Sequence, residues 1–346
     1  MKLKGFAVDY KSHRRFGVEI EVNTSDGIVK RPDAARREIP RGADNVARIV
    51  SMATKEKVKI IAWDHVHNND HWIVKPDNSC GIEINSPILK GWLGLRKLML
   101  VEDALKYNGI KSDNRCSLHV HVNIADLKPH ELASVIAHYI KCEHVFFDSV
   151  PVSRKNNRYC QLIGMTDLFE HNFLMDHDDL ISRISNTKYF SLNAYHFMRG
   201  GGFSSGNNRK QTLEFRIMEG GACLDSWSTK NWIRLLLHFV DVTRHLPVPP
   251  IYEEGNRWSS LLWLDVKDIF SMLKFDGELS PGLRQVRDWF VMRLLNNARS
   301  DLSGIWSNNG RAAAWNEISE LSKIYLSQFG EWIMARDRLY GSKYVC

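Results

Sequence analysis

Phe16-Gly17-Val18-Glu19-Ile20-Glu21-Val22 alternates strictly. Val18, Ile20 and Val22 share one parity, and Glu19 and Glu21 share the other. Successive side chains of a β-strand point to opposite faces. This stretch therefore buries an aliphatic face and sets two carboxylates on the other, roughly 6–7 Å apart. Like charges that close repel each other unless a cation lies between them. A solvated outer strand of an antiparallel sheet would show the same alternation.

Three further stretches repeat the pattern. Cys80-Gly81-Ile82-Glu83-Ile84-Asn85 turns Ile82 and Ile84 one way and Glu83 and Asn85 the other. Leu118-His119-Val120-His121-Val122-Asn123 opposes three aliphatics to His119, His121 and Asn123. Leu213-Glu214-Phe215-Arg216-Ile217 opposes three apolar residues to Glu214 and Arg216. Surface strands usually carry Thr, Lys, Ser and Gln on the wet face. Here the polar parity is a concentrated set of metal and phosphate ligands. If the strands share a sheet, helices cover its other face.

A chain of 346 residues can bury a large core, as one large domain or two ordinary ones. Its 44% hydrophobic and 25% charged residues are those of a globular protein. No run approaches the ~18–20 apolar residues of a membrane span. Residues 1–15 are too polar for a signal-peptide core. The six cysteines are scattered without a CxxC pair, which fits reduced thiols and a cytoplasmic location. A net charge of +7 suits an anionic ligand such as a nucleotide, and the basic residues form no long block.

Between these strands the chain alternates helices and loops. The Asp-, Gly-, Pro- and Arg-rich stretch 24–42 is expected to be a lid or a disordered segment. Helices are expected over 43–55, 91–107 and 128–147, with the second stopped by Asn108-Gly109. Residues 58–63 and 72–74 read as a hairpin whose tip holds His65, His67 and His71. That tip reads as an exposed loop in preference to a zinc site, the alternative its histidines leave open, since no defined ligand spacing fixes them. Residues 165–185 read as an interrupted helix and 189–195 as a strand. The glycine- and asparagine-rich stretch 200–210, ending in Arg209-Lys210, reads either as a flexible hairpin loop or as backbone that approaches phosphates. No Walker loop is present. A helix is expected over 225–245, a linker over 247–255, and helices near 263–275, 281–298 and 310–335. The division is thus a first domain at 1–246, which holds the four alternating strands, and a helical C-terminal extension at 247–346, packed on the core.

Four carboxylates with one or two imidazoles form a hard, oxygen-rich set, which favours Mg²⁺ or Mn²⁺ over zinc. Arg216 projects from the same face as Glu214. A guanidinium there fits a transferring γ-phosphoryl group, or else forms a structural ion pair with a glutamate.

The ordered set Gly17-Val18-Glu19-Ile20-Glu21, Asp77-Asn78-Ser79, Gly81-Ile82-Glu83-Ile84, Leu118-His119-Val120-His121-Val122, Arg158-Tyr159-Cys160, Asn193 and Thr212-Leu213-Glu214-Phe215-Arg216 resembles the amidoligase family. That family belongs to the carboxylate–amine ligase superfamily, with glutamine synthetase and glutamate–cysteine ligase. The resemblance spans residues 16–245. No single motif in it is specific, but the order is. It implies an α+β fold with a curved, mostly antiparallel sheet of the glutamine-synthetase-like catalytic type, whose concave face holds ATP, metals and substrate. It implies Glu19, Glu21, Glu83, His119 and Glu214 as metal ligands, with Glu83 also facing substrate. It implies Arg216 on phosphate and Arg158 on a substrate carboxylate or phosphate. Arg209 and Lys210 join Arg216 as candidate nucleotide contacts. Ser117 and Asn78 stand where the family usually has glycine, a change at turns rather than at ligands.

The reaction implied has two steps. ATP phosphorylates a carboxylate, and an amine then attacks the acyl phosphate to give an amide. Three other readings compete. Guanidino kinases share the superfamily, so a phosphotransferase would use the same sheet. A zinc-dependent hydrolase would use His119, His121 and a glutamate. A nucleic-acid-binding protein would draw on the charge and the eleven tryptophans, but these sit largely in expected core helices.

Overall fold

The structure, a computed structural model, describes residues 12–23, 30–32, 38–40, 42–62, 70–77, 79–155, 157–163, 177–199, 211–250, 264 and 266–298. The opening stretch forms β1 (Arg15–Val22). Val18, Ile20 and Val22 are almost fully buried, each worth roughly 1.5–3 kcal/mol when removed from water. The chain continues through a short ribbon, β2 (Lys30–Pro32) and β3 (Glu38–Pro40). This ribbon lies inside the stretch expected to be a lid or disordered.

Next come α1 (Ala43–Thr54), β4 (Val58–Ile60), β5 (Trp72–Asp77), β6 (Gly81–Asn85), β7 (Leu89–Lys90) and α2 (Gly91–Tyr107). β8 (Ser117–Asn123) leads into α3 (Pro129–Asp148). At the start of α3 the Glu131 carboxylate accepts the backbone N–H of Lys128 at 2.7 Å, satisfying a donor the helix leaves open. α4 (Val152–Lys155), α5 (His177–Arg183), β9 (Leu192–Asn193), α6 (Tyr195–Arg199), β10 (Thr212–Glu219) and α7 (Ser226–Thr243) follow. A 3-10 turn over Gly220–Leu224 joins β10 to α7, whose first turn is capped by Asp225. α8 (Val266–Met272) and α9 (Pro281–Ala298) complete the described chain.

The fold is α+β, with an open, mostly antiparallel sheet and helices. The sheet runs β4-β5-β6-β1-β8-β10-β9, with β7 on the early end of β1. β1 is central because both its faces are in demand: aliphatics go to the core and carboxylates go to the site. The apolar residues of β1, β6, β8 and β10 join those of α1, α2, α3 and α7 in one core. α9 joins it too, with Phe290 5.9 Å from Phe146 and Trp289 6.3 Å from Trp232. Among the described residues, no helix is long and apolar enough to cross a membrane.

Two expectations need correction. β4 and β5 pair in parallel, Val58 with Trp72 and Ile60 with Val74, so they are not a hairpin. Alternation marks a strand but not its direction, and residues 61–71 give the chain room to cross over. The strand expected at 189–195 is only Leu192–Asn193, and Tyr195 begins α6. His65, His67, the 310–335 helix and the 200–210 stretch lie outside the described residues.

Candidate active site

The strand register brings the polar parities into rows. Across β6, β1 and β8, Asn85 faces Glu19 and Glu19 faces His119. Beside that row, Lys75 of β5 faces Glu83 and Glu83 faces Glu21. On the other flank, Gly17 faces His121, His121 faces Glu214, and Glu214 faces Asn193. Six strands, β5, β6, β1, β8, β10 and β9, thus supply one patch. Strand period is two, so a one-residue slip of any strand would turn its ligand away.

Glu19 lies at the middle of the patch. Its Oε2 stands 3.0 Å from His119 Nδ1, and its Oε1 stands 3.3 Å from Asn85 Nδ2 and 3.1 Å from His121 Nε2. The last contact is close but not aligned as a hydrogen bond, so buried His121 Nε2 has no hydrogen-bonding partner among the described residues. His119 Nδ1 also lies 3.5 Å from Glu214, and its Nε2 lies 2.9 Å from Ser117 Oγ. Burial and the nearby Arg216 keep the His119 imidazole below its ordinary pKa, hence neutral near pH 7.

Glu214 and Arg216 form a tight ion pair. Asn193 donates to the second Glu214 oxygen at 3.0 Å. Burial opposes ionisation of Glu214, but Arg216 and His121 outweigh it and hold the carboxyl down to about 2. Arg216 sits in a β-bulge. The pairing of β10 with β8 steps from Phe215–Val120 to Met218–Leu118, three residues against two. Two groups fix the bulge. The Arg216 backbone donates to Ser191 O at 2.8 Å, and buried Arg154 donates to the carbonyls of Ile217 and Arg216 at 3.1 and 2.7 Å. The Arg216 guanidinium also donates to Tyr159 O at 3.2 Å.

The other half of the patch is less neutralised. Glu21 accepts from the Ser117 backbone and hydroxyl, each at 2.7 Å. Burial first, then Asp77, still raises its carboxyl well above the usual range. Burial and Glu19 push Glu83 up to about 7, although Lys75 pulls the other way from 2.8 Å. Burial disfavours the Lys75 charge, but Glu83 and Glu19 hold its pKa above normal. Asp77 is steadied by the Ser79 and Cys80 backbone N–H groups at 2.7 and 2.9 Å.

A buried concentration of carboxylate that raises its own pKa is a set of ligands short of positive charge. Among the described residues, two groups have ligand atoms within 4.8 Å of one another: Glu19, His121 and Glu214; and Glu21, Asp77 and Cys80. The first group, with the neighbouring carboxylates of Glu21 and Glu83, is a hard, oxygen-rich donor set that fits Mg²⁺ or Mn²⁺; the second includes a thiol.

A family model described as "Putative amidoligase enzyme" matches residues 12–240. The chain belongs to this family. It is therefore an enzyme of the carbon–nitrogen ligase type. No curated protein matches the chain. Among solved structures, it is similar to a novel glutamine synthase homologue at 14% identity and TM-score 0.37, covering 88% of this chain and 71% of that one. It is also similar to the complex of the prokaryotic ubiquitin-like protein Pup with its ligase PafA, at 11% identity, TM-score 0.33, and coverage of 97% and 71%. A bifunctional glutathione synthetase from Pasteurella multocida gives 10%, 0.37, 89% and 52%. All three scores are below 0.5, so these likenesses define neither fold nor function.

Within this amidoligase the structure brings Glu19, Glu21, Glu83, His119, Glu214 and Arg216 onto one face. Arg158 precedes Tyr159, whose backbone carbonyl accepts from the Arg216 guanidinium. It is exposed, its guanidinium lies 4.7 Å above the Tyr159 ring, and it donates to the Tyr159 hydroxyl at 2.6 Å. Arg209 and Lys210 lie outside the described residues. Lys75 and Arg154 were not expected at the site, and Asp77, Ser117 and Asn193 entered only through the resemblance, with no role of their own. Lys75 and Asp77 were legible, since they share a parity on β5. Arg154 was not, because a buried arginine that binds bulge carbonyls leaves no periodic mark.

Proposed function

We propose that this enzyme joins a small-molecule or peptide carboxylate to an amine using ATP, through an acyl phosphate. The carrying observation is the single buried face on which β1, β6, β8 and β10 converge, with a free-charge deficit at Glu21 and Glu83 and an arginine beside Glu214. Glu19, Glu21, Glu83, His119 and Glu214 are the proposed Mg²⁺ or Mn²⁺ ligands, with His121 as a further donor. Bound ions would supply positive charge against phosphoryl oxygens.

The chain's own residues do the rest. Arg216, anchored by Tyr159 O and by its bulge, presents a planar fork to the γ-phosphoryl group. Asn193 and Ser117 orient Glu214 and Glu21, so the ligands need little reorganisation when charge develops. Lys75 balances Glu83 and Glu19 before ions bind. Arg158, Arg209 and Lys210 are proposed contacts to substrate carboxylate or nucleotide phosphate. The sheet is proposed to be of the glutamine-synthetase-like type, with 1–246 as the catalytic domain and 247–346 as a helical extension. Phe290 and Trp289 of α9, packed against Phe146 and Trp232, support that extension.

The test is ADP formation by purified protein with Mg²⁺ and a panel of carboxylates, with and without amines. Release of ADP that needs a carboxylate and is completed by an amine supports a ligase. Transfer to a guanidino acceptor without carboxylate would favour a kinase of the same fold.

A further inference from the structure

Two thiols lie beside the carboxylates at the Glu21 end of the site, and the proposed ligation does not use them. Cys80 is buried just before β6, and Cys116 is fully buried just before β8. They precede the strands on opposite sides of β1, and the Cys116 Sγ lies 3.6 Å from Asn23 Oδ1 and 3.7 Å from Asp113 Oδ1. Cys80 Sγ lies 3.9 Å from Glu21 Oε2. Cys116 is held in place from behind. A Cβ on Gly220 would fall 2.4 Å from Cys116 Cβ, so that turn packs on it as closely as glycine allows. Asp77, half-buried at the end of β5, completes the surroundings.

From these contacts we infer a second cation site made of Cys80, Asp77 and Glu21, with Cys116 as an adjoining sulfur, selective for a thiophilic divalent ion of the zinc or cadmium class. Sulfur, carboxylate and carboxylate oxygen atoms of the three residues already lie within 4.8 Å of one another. Ligands in a tetrahedron around zinc, with bonds of ~2.0–2.3 Å, stand roughly 3.5 Å apart, so only a small inward shift is needed. A thiolate selects such ions over Mg²⁺, which takes oxygen ligands. Binding exchanges the Cys80 proton for the metal, and that proton goes to solvent.

The site shares Glu21 with the proposed Mg²⁺ set. A thiophilic ion there withdraws Glu21 from catalysis, so Zn²⁺ inhibits by competition at one carboxylate. The inhibition rests on the proposed ligase reading, but the binding does not.

Binding is read without ATP, by titrating the metal-free full chain with Cd²⁺ and following the ultraviolet thiolate-to-cadmium charge-transfer band. Wild type should show a band that saturates at one ion per chain and persists in excess Mg²⁺. Cys80→Ala should lose it. Asp77→Asn keeps the oxygen that accepts the Ser79 and Cys80 N–H groups, so it guards against misfolding, and it should weaken Cd²⁺ binding about tenfold. A band unchanged in Cys80→Ala, or absent from wild type, overturns the site. In turnover assays, Cys80→Ala should keep Mg²⁺-dependent activity and need at least about tenfold more Zn²⁺ for inhibition. Equal Zn²⁺ sensitivity in both proteins would also overturn it. A protein that binds Cd²⁺ through Cys80 yet never hydrolyses ATP would refute the ligase reading and leave the site standing.

Discussion

Lys75 Nζ lies 2.8 Å from Glu83 Oε1, across the β5–β6 pair. Among the described residues, this ammonium is the cation paired with the carboxylate-rich end of the site. Lys75→Met should therefore destabilise the metal-free protein, by about 1–3 kcal/mol above pH ~7. The loss should be smaller near pH ~5, where Glu83 takes up a proton instead. Urea unfolding at the two pH values measures the difference. An equal loss at both would mean that Lys75 acts through packing alone.

Glu83 itself gives a pH signature. Its folded pKa is raised from 4.5 to about 7, so the folded chain holds that proton more tightly than the unfolded chain. The stability it contributes is fully present below about pH 4.5 and is lost as pH rises through about 7. Buried His119, His138 and His238 have lowered pKa values and run the other way, gaining stability as pH rises. Comparison with Glu83→Gln cancels them. The variant should match wild type near pH ~4 and exceed it by on the order of 3 kcal/mol above pH ~8 without metal. Saturating Mg²⁺ should remove most of that gap. A variant less stable than wild type at high pH would contradict the charge deficit.

Two glutamates on this face should respond oppositely. Glu21 has a raised pKa among carboxylates, whereas Glu214 is paired with Arg216. Glu21→Gln should leave metal-free stability unchanged or raise it. Glu214→Gln should lower it by about 2–4 kcal/mol, since Arg216 loses its buried partner. Both should lower Mg²⁺-dependent ATP turnover at least ~100-fold. Turnover at the wild-type rate in either would remove that residue from the site.

The alternation of β1, β6, β8 and β10 was enough to place Glu19, Glu21, Glu83, His119, His121 and Glu214 on one face. Period two leaves no other arrangement once the aliphatic parity goes to the core. What the alternation could not carry was long-range. Neither strand's alternation encodes the parallel direction of β4 against β5, and the row from Lys75 to Glu21 depends on the β5–β6 and β6–β1 registers, which alternation alone leaves open. The bulge after Phe215 depends on Ser191 and Arg154, far away in sequence. Arg158 shows the reverse case. Only the resemblance gives it a role; alternation does not reach it, and it lies exposed on Tyr159, whose carbonyl accepts from Arg216.

Arg216 separates a phosphate-binding role from a structural one. Arg216→Lys keeps the charge beside Glu214 but loses the fork and the bond to Tyr159 O. kcat should fall at least ~100-fold, with a loss in stability of no more than about 1 kcal/mol. Near-normal kcat with a larger stability loss would make Arg216 a structural partner of Glu214.

The most direct test of acyl-phosphate chemistry is interception by hydroxylamine, which is small, uncharged near neutral pH and strongly nucleophilic. The protein is incubated with Mg²⁺ or Mn²⁺, ATP, hydroxylamine and a panel of carboxylates, including peptides with free C-termini. Hydroxamate and nucleotide products are measured together, with Glu21→Gln as the control. The expected result is hydroxamate from at least one carboxylate, ADP in equal amount, and neither product from the control. Formation of AMP in place of ADP, or of hydroxamate without nucleotide consumption, would contradict γ-phosphoryl transfer at this site.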